Sequence, residues 1–175
     1  LALRGIAMAQ LGDLARSKAL LKSAAHAFGP REAVARARCI VAEAEIALVS
    51  RDLAWPEKAL EGARLTLERR GDRVNAAHAR NLQIRRLLLI GHLDAAEKLL
   101  ADLDPSPLPP AARAGHELAV AGVAIRRLRT EPARQALAQA ADAAQKAGIP
   151  ALAVEVREAA KALEAPAARL IDGGT

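Results

Sequence analysis

The sequence predicts an all-α fold, a right-handed superhelix of antiparallel helix pairs with about nine helices. The first observation behind this prediction is a segment that recurs along the chain. Leu11–Leu21 and Ile90–Leu100 carry Gly and three Leu at the same offsets, and a weaker third copy spans Ser50–Leu60. The copies are spaced by about 39–40 residues, and a fixed period of this size is typical of stacked helical repeats.

Composition supplies the other two observations. Hydrophobic residues make up 52% of the chain but aromatic residues only 1%, so the apolar content is mostly Ala, followed by Leu, Val and Ile. Ala is the strongest helix former, and its small side chain lets neighbouring helices approach closely. No segment alternates apolar and polar residues in the manner of a strand, and the sequence contains no Asn-Gly hairpin signal.

Turn and capping residues set the boundaries of the first two pairs. Gly12-Asp13 forms the turn inside the first pair, and Gly29-Pro30 ends that pair because Gly and Pro favour a helix stop. In the second pair Asp52 is placed to accept backbone N–H groups, and Pro56 suits a first helical turn. Gly71 closes the second pair. The predicted helices of this half cover about Leu1–Leu11, Leu14–Ala27, Arg31–Val49 and Trp55–Arg70.

The second half of the chain contains a proline-rich segment between its two pairs. Four prolines within Asp104–Pro110 predict a stiff, extended connector, where the stack bends and the pairs on either side pack imperfectly. Thr130 or Glu131 is expected to cap the second helix of the fourth pair, and Gly148 to end it. The predicted helices of this half cover about Asp72–Ile90, Asp94–Leu103, Ala111–Leu128, Pro132–Ala147 and Ala151–Glu164.

These helices are predicted to form one helical repeat domain. Because the chain begins with Leu inside a helical pattern, we expect it to be a piece of a longer protein. The single Cys39 cannot form an intramolecular disulfide, and no stretch has the length of a membrane span, so we expect a cytoplasmic protein without membrane contact. The domain covers residues 1–165, with pairs at about 1–28, 31–70, 72–104 and 111–147 and a final helix at 151–164, and residues 166–175 form a linker or tail.

Small residues at fixed spacings give the chain a resemblance to the tetratricopeptide repeat. Gly5 stands at the glycine position of the first helix, and Ser17 and Ala24 stand at the small positions of the second. Leu1 and Met8 replace the Trp and Tyr of that pattern, and the period is longer than the usual ~34 residues. With these longer helices, rich in Ala and Arg, the chain is similar to the helical repeats of MalT/LuxR-type bacterial transcription regulators. The resemblance implies a non-enzymatic interaction, scaffold or effector-sensing module of a larger regulatory protein, in which the first helix of each pair lines a concave groove.

No residue pattern points to catalysis, a cofactor or a bound metal. The four His are far apart in sequence and Cys39 stands alone, so no metal-ligand spacing is present. The chain has no Gly-rich phosphate loop and no Gly-x-Ser-x-Gly motif. Gly115 and Gly122 lie on one predicted helix, where we expect them to allow close helix packing. Trp55 is interpreted either as packing its ring against the turn or as an exposed interface anchor.

Basic residues are concentrated in one segment. The formal net charge is +6, and seven Arg lie between Arg64 and Arg86 against only Glu68 and Asp72. One interpretation is that Arg replaces Lys on solvated faces. The other is a basic ridge for an anionic partner, either nucleic acid, a phosphate-bearing ligand or an acidic peptide. Single-stranded nucleic acids usually stack on aromatic side chains, which the chain almost lacks. The favoured prediction is therefore a protein or peptide partner, or self-association, with direct nucleic-acid binding as the alternative.

Helical periodicity places a set of polar residues on one face of the first helix of each pair. At about 100° per residue, His78, Asn81 and Arg85 of the third pair's first helix fall within a stripe of about 60° on that helix. The same count, made back from the turn residues Arg51, Gly91 and Arg129, places residues of three pairs at corresponding positions on their first helices. We expect these residues to line a groove at least partly open to solvent and to hold an acidic or extended peptide. The candidate partner-binding residues are Arg38, Glu45, His78, Asn81, Arg85, His116, Arg126 and Arg127.

Overall fold

The computed structural model of the chain describes residues 1–106 and 108–164. Over these residues the regular secondary structure is entirely helical, so the predicted all-α fold is confirmed. The predicted tail at 166–175 lies outside the described residues. A short 3-10 helix spans Pro30–Glu32, and the α-helices are α1 (Ala2–Gln10), α2 (Leu14–Ala27), α3 (Ala33–Val49), α4 (Glu57–Arg69), α5 (Arg73–Leu89), α6 (Leu93–Ala101), α7 (Pro110–Arg126), α8 (Thr130–Ala147) and α9 (Pro150–Glu164).

Four turns within the helix pairs share one backbone conformation. Gly12, Arg51, Gly91 and Leu128 all adopt a left-handed conformation, with φ of 85°, 57°, 80° and 57°. Successive positions are 39, 40 and 37 residues apart. The weaker third copy of the repeated segment is thus a structural copy as well, since Arg51 occupies the place that glycine holds in the other two. A left-handed conformation costs a residue with a side chain about 1–2 kcal/mol, so the surrounding packing must supply that energy at Arg51 and Leu128.

Aspartate side chains cap the N-termini of two helices. Asp13 Oδ1 accepts a hydrogen bond from the Arg16 backbone N at 3.1 Å at the start of α2. Asp72 Oδ1 accepts one from the Asn75 backbone N at 3.3 Å at the start of α5. Each bond satisfies a backbone N–H that has no partner within its helix.

The predicted starts of α4 and α8 need correction. Asp52 makes no cap on α4, because its carboxylate pairs instead with Lys18 of α2. α4 begins at Glu57, directly after Pro56, rather than at Trp55. Thr130 is the first residue of α8, and no side chain caps this helix. The loop between α3 and α4 is therefore tied to the first helix pair.

The helices contact one another in a simple order. Each helix packs against the next one along the chain. Odd-numbered helices also contact the next odd-numbered helix, from α1 through to α9. Within the described residues, no even-numbered helix contacts another. The odd-numbered helices thus form one continuous layer, and the even-numbered helices lie apart on it.

Alanine fills much of the core. Ala63 and Ala96 are buried, whereas Ala59 is only half-buried. The most extensive helix contact joins α7 to α8, and buried alanines line it on both sides. Small side chains permit this close approach of helix backbones, so adding methylene groups there would force shifts that cost about 1–3 kcal/mol.

The proline-rich segment does not interrupt the core. One buried cluster joins α5, α6 and α7 across it and includes Ile84, Ala96 and Val123. Arg113 Nη2 donates to the carbonyls of Pro105 and Ser106 at 2.9 and 2.8 Å, which ties the segment to α7. The prediction of imperfect packing at this point is therefore wrong, because a shared apolar cluster and an anchoring arginine hold the two sides together.

Candidate functional site

Four charged or titratable side chains of α3 and α5 lie at equivalent positions and are exposed or half-exposed. Arg38 and Glu45 precede the turn residue Arg51 by 13 and 6 positions, and His78 and Arg85 precede Gly91 by the same intervals. His78 Nε2 lies 3.3 Å from Glu45 Oε2, so the two helices bring these positions together. We call the surface formed by Arg38, Glu45, His78 and Arg85 the odd-helix face.

Asn81 and His116 do not belong to the odd-helix face. Their exposed fractions are only 4% and 5%, so the predicted exposure is wrong for both. Asn81 lies at the border of the predicted stripe, where α5 packs against its neighbours. Burial and the nearby Arg113 guanidinium lower the pKa of His116, which favours the neutral imidazole.

The misplacement of His116 has a geometric cause. The left-handed turn residue of the fourth pair is Leu128 rather than Arg129. A shift of one residue rotates every α7 position by about 100°, which turns His116 into the core. The positions equivalent to His78 and Arg85 are instead Gly115 and Gly122. A side chain added at Gly115 would meet no atom within 4 Å, whereas one at Gly122 would lie 3.2 Å from Leu88 Cδ1. Close packing is thus confirmed for Gly122 and wrong for Gly115.

The cations of the odd-helix face already have partners within the chain. Arg38 Nε donates to Asp72 Oδ2 at 2.7 Å. Arg85 Nη2 donates to Glu155 Oε1 of α9 at 3.2 Å, a contact between residues 70 positions apart. Hydrogen bonding from His78 lowers the pKa of the Glu45 carboxyl, with the nearby charge of Arg85 acting in the same direction. The odd-helix face therefore carries both positive and negative charges rather than a row of cations.

The two arginines at the end of α7 differ in their surroundings. Arg126 is exposed, and its Nη1 donates at 3.0 Å to the carbonyl of Gly122, which is the position equivalent to Arg85. Arg127 instead turns to α6, where it pairs with Asp94 and with Glu97 Oε2 at 2.9 Å. Arg127 is therefore wrongly predicted as a groove residue, and Arg126 keeps its place beside the odd-helix face.

The arginine-rich segment is less available than its composition suggests. Arg64 is buried between Glu61 and Glu68, with Nη2 donating to Glu61 Oε1 at 2.6 Å. The hydrogen bond from Arg64 is the main cause that lowers the pKa of Glu61 to about 2. Arg86 pairs with Glu57 at 2.9 Å. Within residues 64–86, the exposed arginines that form no ion pair in the described structure lie around the α4–α5 turn and are Arg69, Arg70 and Arg73.

Two features of the site were missed by sequence reasoning. Glu155 carries no local signal for its contact with Arg85, because the contact depends on how α9 returns to α5. The pairing of Arg64 could have been found, since Glu61 and Glu68 stand three and four residues away on the same helix.

Comparisons of the chain with protein families, with curated proteins and with solved structures returned no match. No helix in the described part of the chain is long and apolar enough to cross a membrane. Among the same residues, no group of three or more His, Cys, Asp or Glu is placed to hold a metal ion.

Proposed function

We propose that the chain is a non-enzymatic helical-repeat module that binds a protein or peptide partner on the odd-helix face, as the scaffold or sensor part of a larger cytoplasmic regulatory protein. The resemblance to tetratricopeptide repeats and to MalT/LuxR-type regulators supports this proposal. The helix contacts support it too, because a right-handed superhelix of helix pairs needs one layer of helices in mutual contact and a second layer spread apart. Such superhelices bind partners along an extended inner surface.

The observation that carries the proposal is the weak internal pairing of Arg85. Its side chain and that of Glu155 are 45% and 47% exposed. An ion pair in this setting contributes about 0.2–1 kcal/mol, whereas a charge-assisted hydrogen bond at a desolvated interface contributes about 1.5–3 kcal/mol. A partner's carboxylate that excludes water from Arg85 can therefore replace Glu155 with a net gain.

The test is a titration of a purified partner, first captured with the chain and then produced separately. Arg85→Ala should weaken binding by about tenfold or more, because ~1.4 kcal/mol corresponds to a factor of ten. Glu155→Gln should strengthen binding, since it releases Arg85. Arg134→Ala on α8 is the matched control, because Arg134 is exposed and pairs with Glu131 at 3.0 Å on an even-numbered helix.

Two results would contradict the proposal. Equal affinities for the Arg85→Ala and Arg134→Ala variants would remove the odd-helix face from the interface. A large loss of thermal stability in Arg85→Ala would show a structural role instead, since an exposed substitution should change stability by about 0.5 kcal/mol or less. If the captured partner is a second copy of the chain, the same variants are measured by analytical ultracentrifugation.

Direct nucleic-acid binding stays as the alternative because of the three exposed arginines at the α4–α5 turn. Arg69, Arg70 and Arg73 flank Gly71 and form no ion pair in the described structure. Three phosphate contacts to a single strand would give a slope of log affinity against log salt of about −2. A charge-reversed Arg70→Glu variant should flatten that slope if the alternative is correct. The affinity of a peptide that binds the odd-helix face should be the same for this variant and the wild type.

A further inference from the structure

A cavity of about 400 Å³ lies between α2 and α4 and is floored by α3. It exists because these two even-numbered helices do not touch. Its volume falls within the range of small-molecule sites, about 300–1,000 Å³. Nothing in the proposed partner surface uses it.

The cavity and the odd-helix face lie on opposite sides of α3. Arg36, Ile40 and Glu43 line the cavity and fall within about 60° of one another on the helix. Arg38 and Glu45 of the odd-helix face are turned from them by roughly half a circle at ~100° per residue. A ligand in the cavity would therefore leave the odd-helix face uncovered.

Part of the cavity lining is apolar. It consists of Trp55 and Pro56 from the loop between α3 and α4, Ile40 of α3 and Ala25 of α2. Trp55 is half-buried and packs against the core cluster formed by α3, α4 and α5, so its ring is held in place rather than free in solvent. A fixed indole ring offers a flat apolar surface at low entropic cost.

The rest of the lining is largely charged, with more cations than carboxylates. Lys18 and Asp52 neutralise each other, and the hydrogen bond from Lys18 lowers the pKa of the Asp52 carboxyl, so this carboxylate stays ionised. Lys22 and Arg36 line the same cavity and form no ion pair in the described part of the chain. The remaining titratable groups that face it are Glu43 and His26, whose Nδ1 lies 2.8 Å from the Lys22 carbonyl. Among the lining groups that form no ion pair in the described structure, there are thus two cations, Lys22 and Arg36, and one carboxylate, Glu43.

We propose that this cavity binds a small organic anion whose aromatic or branched apolar body packs on Trp55 and Ile40 and whose carboxylate, sulfonate or phosphate group lies between Lys22 and Arg36. The assignment follows from charge complementarity and from the size of the cavity. It stands apart from the proposed partner binding, because it uses neither the odd-helix face nor a macromolecule. Since the cavity is lined by both the first and the second helix pair, the bound anion joins two repeats.

The chain provides its own optical reporter for a test. Trp55 is the single Trp, and Tyr is absent, so the intrinsic tryptophan fluorescence of the chain comes from one side chain that lines this cavity. The probe is anilinonaphthalene sulfonate, which accepts energy from tryptophan, and the control ligand is phenylnaphthylamine, the same aromatic framework without the sulfonate. Titration of the full chain should quench Trp55 as the sulfonate binds, and the neutral analogue should bind at least tenfold more weakly.

Variants separate this site from nonspecific dye binding. The double variant Lys22→Ala, Arg36→Ala should lose about tenfold or more in affinity for the sulfonate while keeping its affinity for the neutral analogue. Arg16→Ala is the matched control, because Arg16 is an exposed cation of α2 outside the cavity lining. Circular dichroism should show unchanged thermal unfolding for all three proteins. Binding without quenching of Trp55, equal binding of the two dyes, or equal affinity in the double variant would each overturn the proposal.

Discussion

Gly5 and Gly62 allow the packing between α1 and α2 to be measured separately from helix propensity. Both glycines lie inside helices. A methyl group added at Gly5 would lie 2.9 Å from Leu21 Cγ and 3.2 Å from Leu21 Cδ2, whereas one added at Gly62 would meet no atom within 4 Å. Leu21 is fully buried, so it has no open space into which to move. Gly5→Ala and Gly62→Ala therefore differ mainly in the contact they create.

The expected free energies have opposite signs. Replacing Gly by Ala in a helix interior contributes about 0.5–1 kcal/mol of stability, and Gly62→Ala should show this gain in full. Gly5→Ala has the same gain but overpacks the contact with Leu21, at a cost of about 1–3 kcal/mol. It also strains the hydrogen bond of 2.7 Å from Ser17 Oγ to the Gly5 carbonyl. A net loss of about 1 kcal/mol follows for Gly5→Ala.

Urea unfolding followed by far-UV circular dichroism measures the global stability of both variants. Because α1 packs on α2 and α3 alone among the described helices, Gly5→Ala can relieve its strain by releasing α1, and hydrogen exchange of α1 amides is the sharper measurement. Faster exchange confined to α1 is the expected result. The reasoning fails if Gly5→Ala stabilises the protein as much as Gly62→Ala does and leaves α1 protection unchanged.

Three further predictions concern the turns, the core and the proline segment. Leu128→Gly should raise Tm by about 2–4 °C, because it removes the left-handed strain of a side chain that is 89% exposed; calorimetry measures this, and an unchanged Tm would contradict it. Burial raises the pKa of the Glu117 carboxyl, so the folded state holds its proton more tightly than the unfolded state and stability falls as pH rises through that pKa. Glu117→Gln should therefore stabilise the chain at pH values above the raised pKa of Glu117 and remove the loss of stability that sets in above the ordinary carboxyl pKa, as measured by urea titrations at several pH values, and a parallel pH profile would count against it. Arg113→Ala removes both hydrogen bonds to the carbonyls of Pro105 and Ser106, so limited proteolysis should cut this segment faster than in the wild type, while equal cutting rates would show that Arg113 does not anchor it.

The helices could be predicted because their signals are local. Gly12, Gly91 and Asp13 mark turns and caps in the sequence itself, and the all-α fold follows from them together with the alanine content. The register of the fourth pair could not be predicted, since Leu128 adopts the left-handed conformation without any residue preference for it. The packing around the turn supplies that energy, and a sequence pattern does not record packing. That single position decided whether His116 or Gly115 pointed outward.

The candidate site was harder to predict because its contacts are distant in sequence. Helical periodicity identified Arg38, His78 and Arg85, because the direction in which each side chain leaves the helix depends on the local helix alone. It could not find Glu155, because its contact with Arg85 depends on how α9 packs relative to α5, 70 residues earlier in the chain. The cavity beside Trp55 was missed for the same reason, since it is a gap between helices that no local pattern describes.

A second kind of repeat becomes visible only in the structure. The sixth residue after the left-handed turn residue is Lys18 in the first helix pair, Glu57 in the second and Glu97 in the third. Each of them forms a salt bridge with a residue of the next helix pair. Lys18 pairs with Asp52, Glu57 with Arg86, and Glu97 with both Arg127 and Arg129. The position recurs while the sign of its charge does not, which is why comparison of residue types along the chain fails to detect it. Since partly exposed ion pairs contribute only about 0.2–1 kcal/mol each, these pairs add little stability beside the buried alanine contacts between the helices.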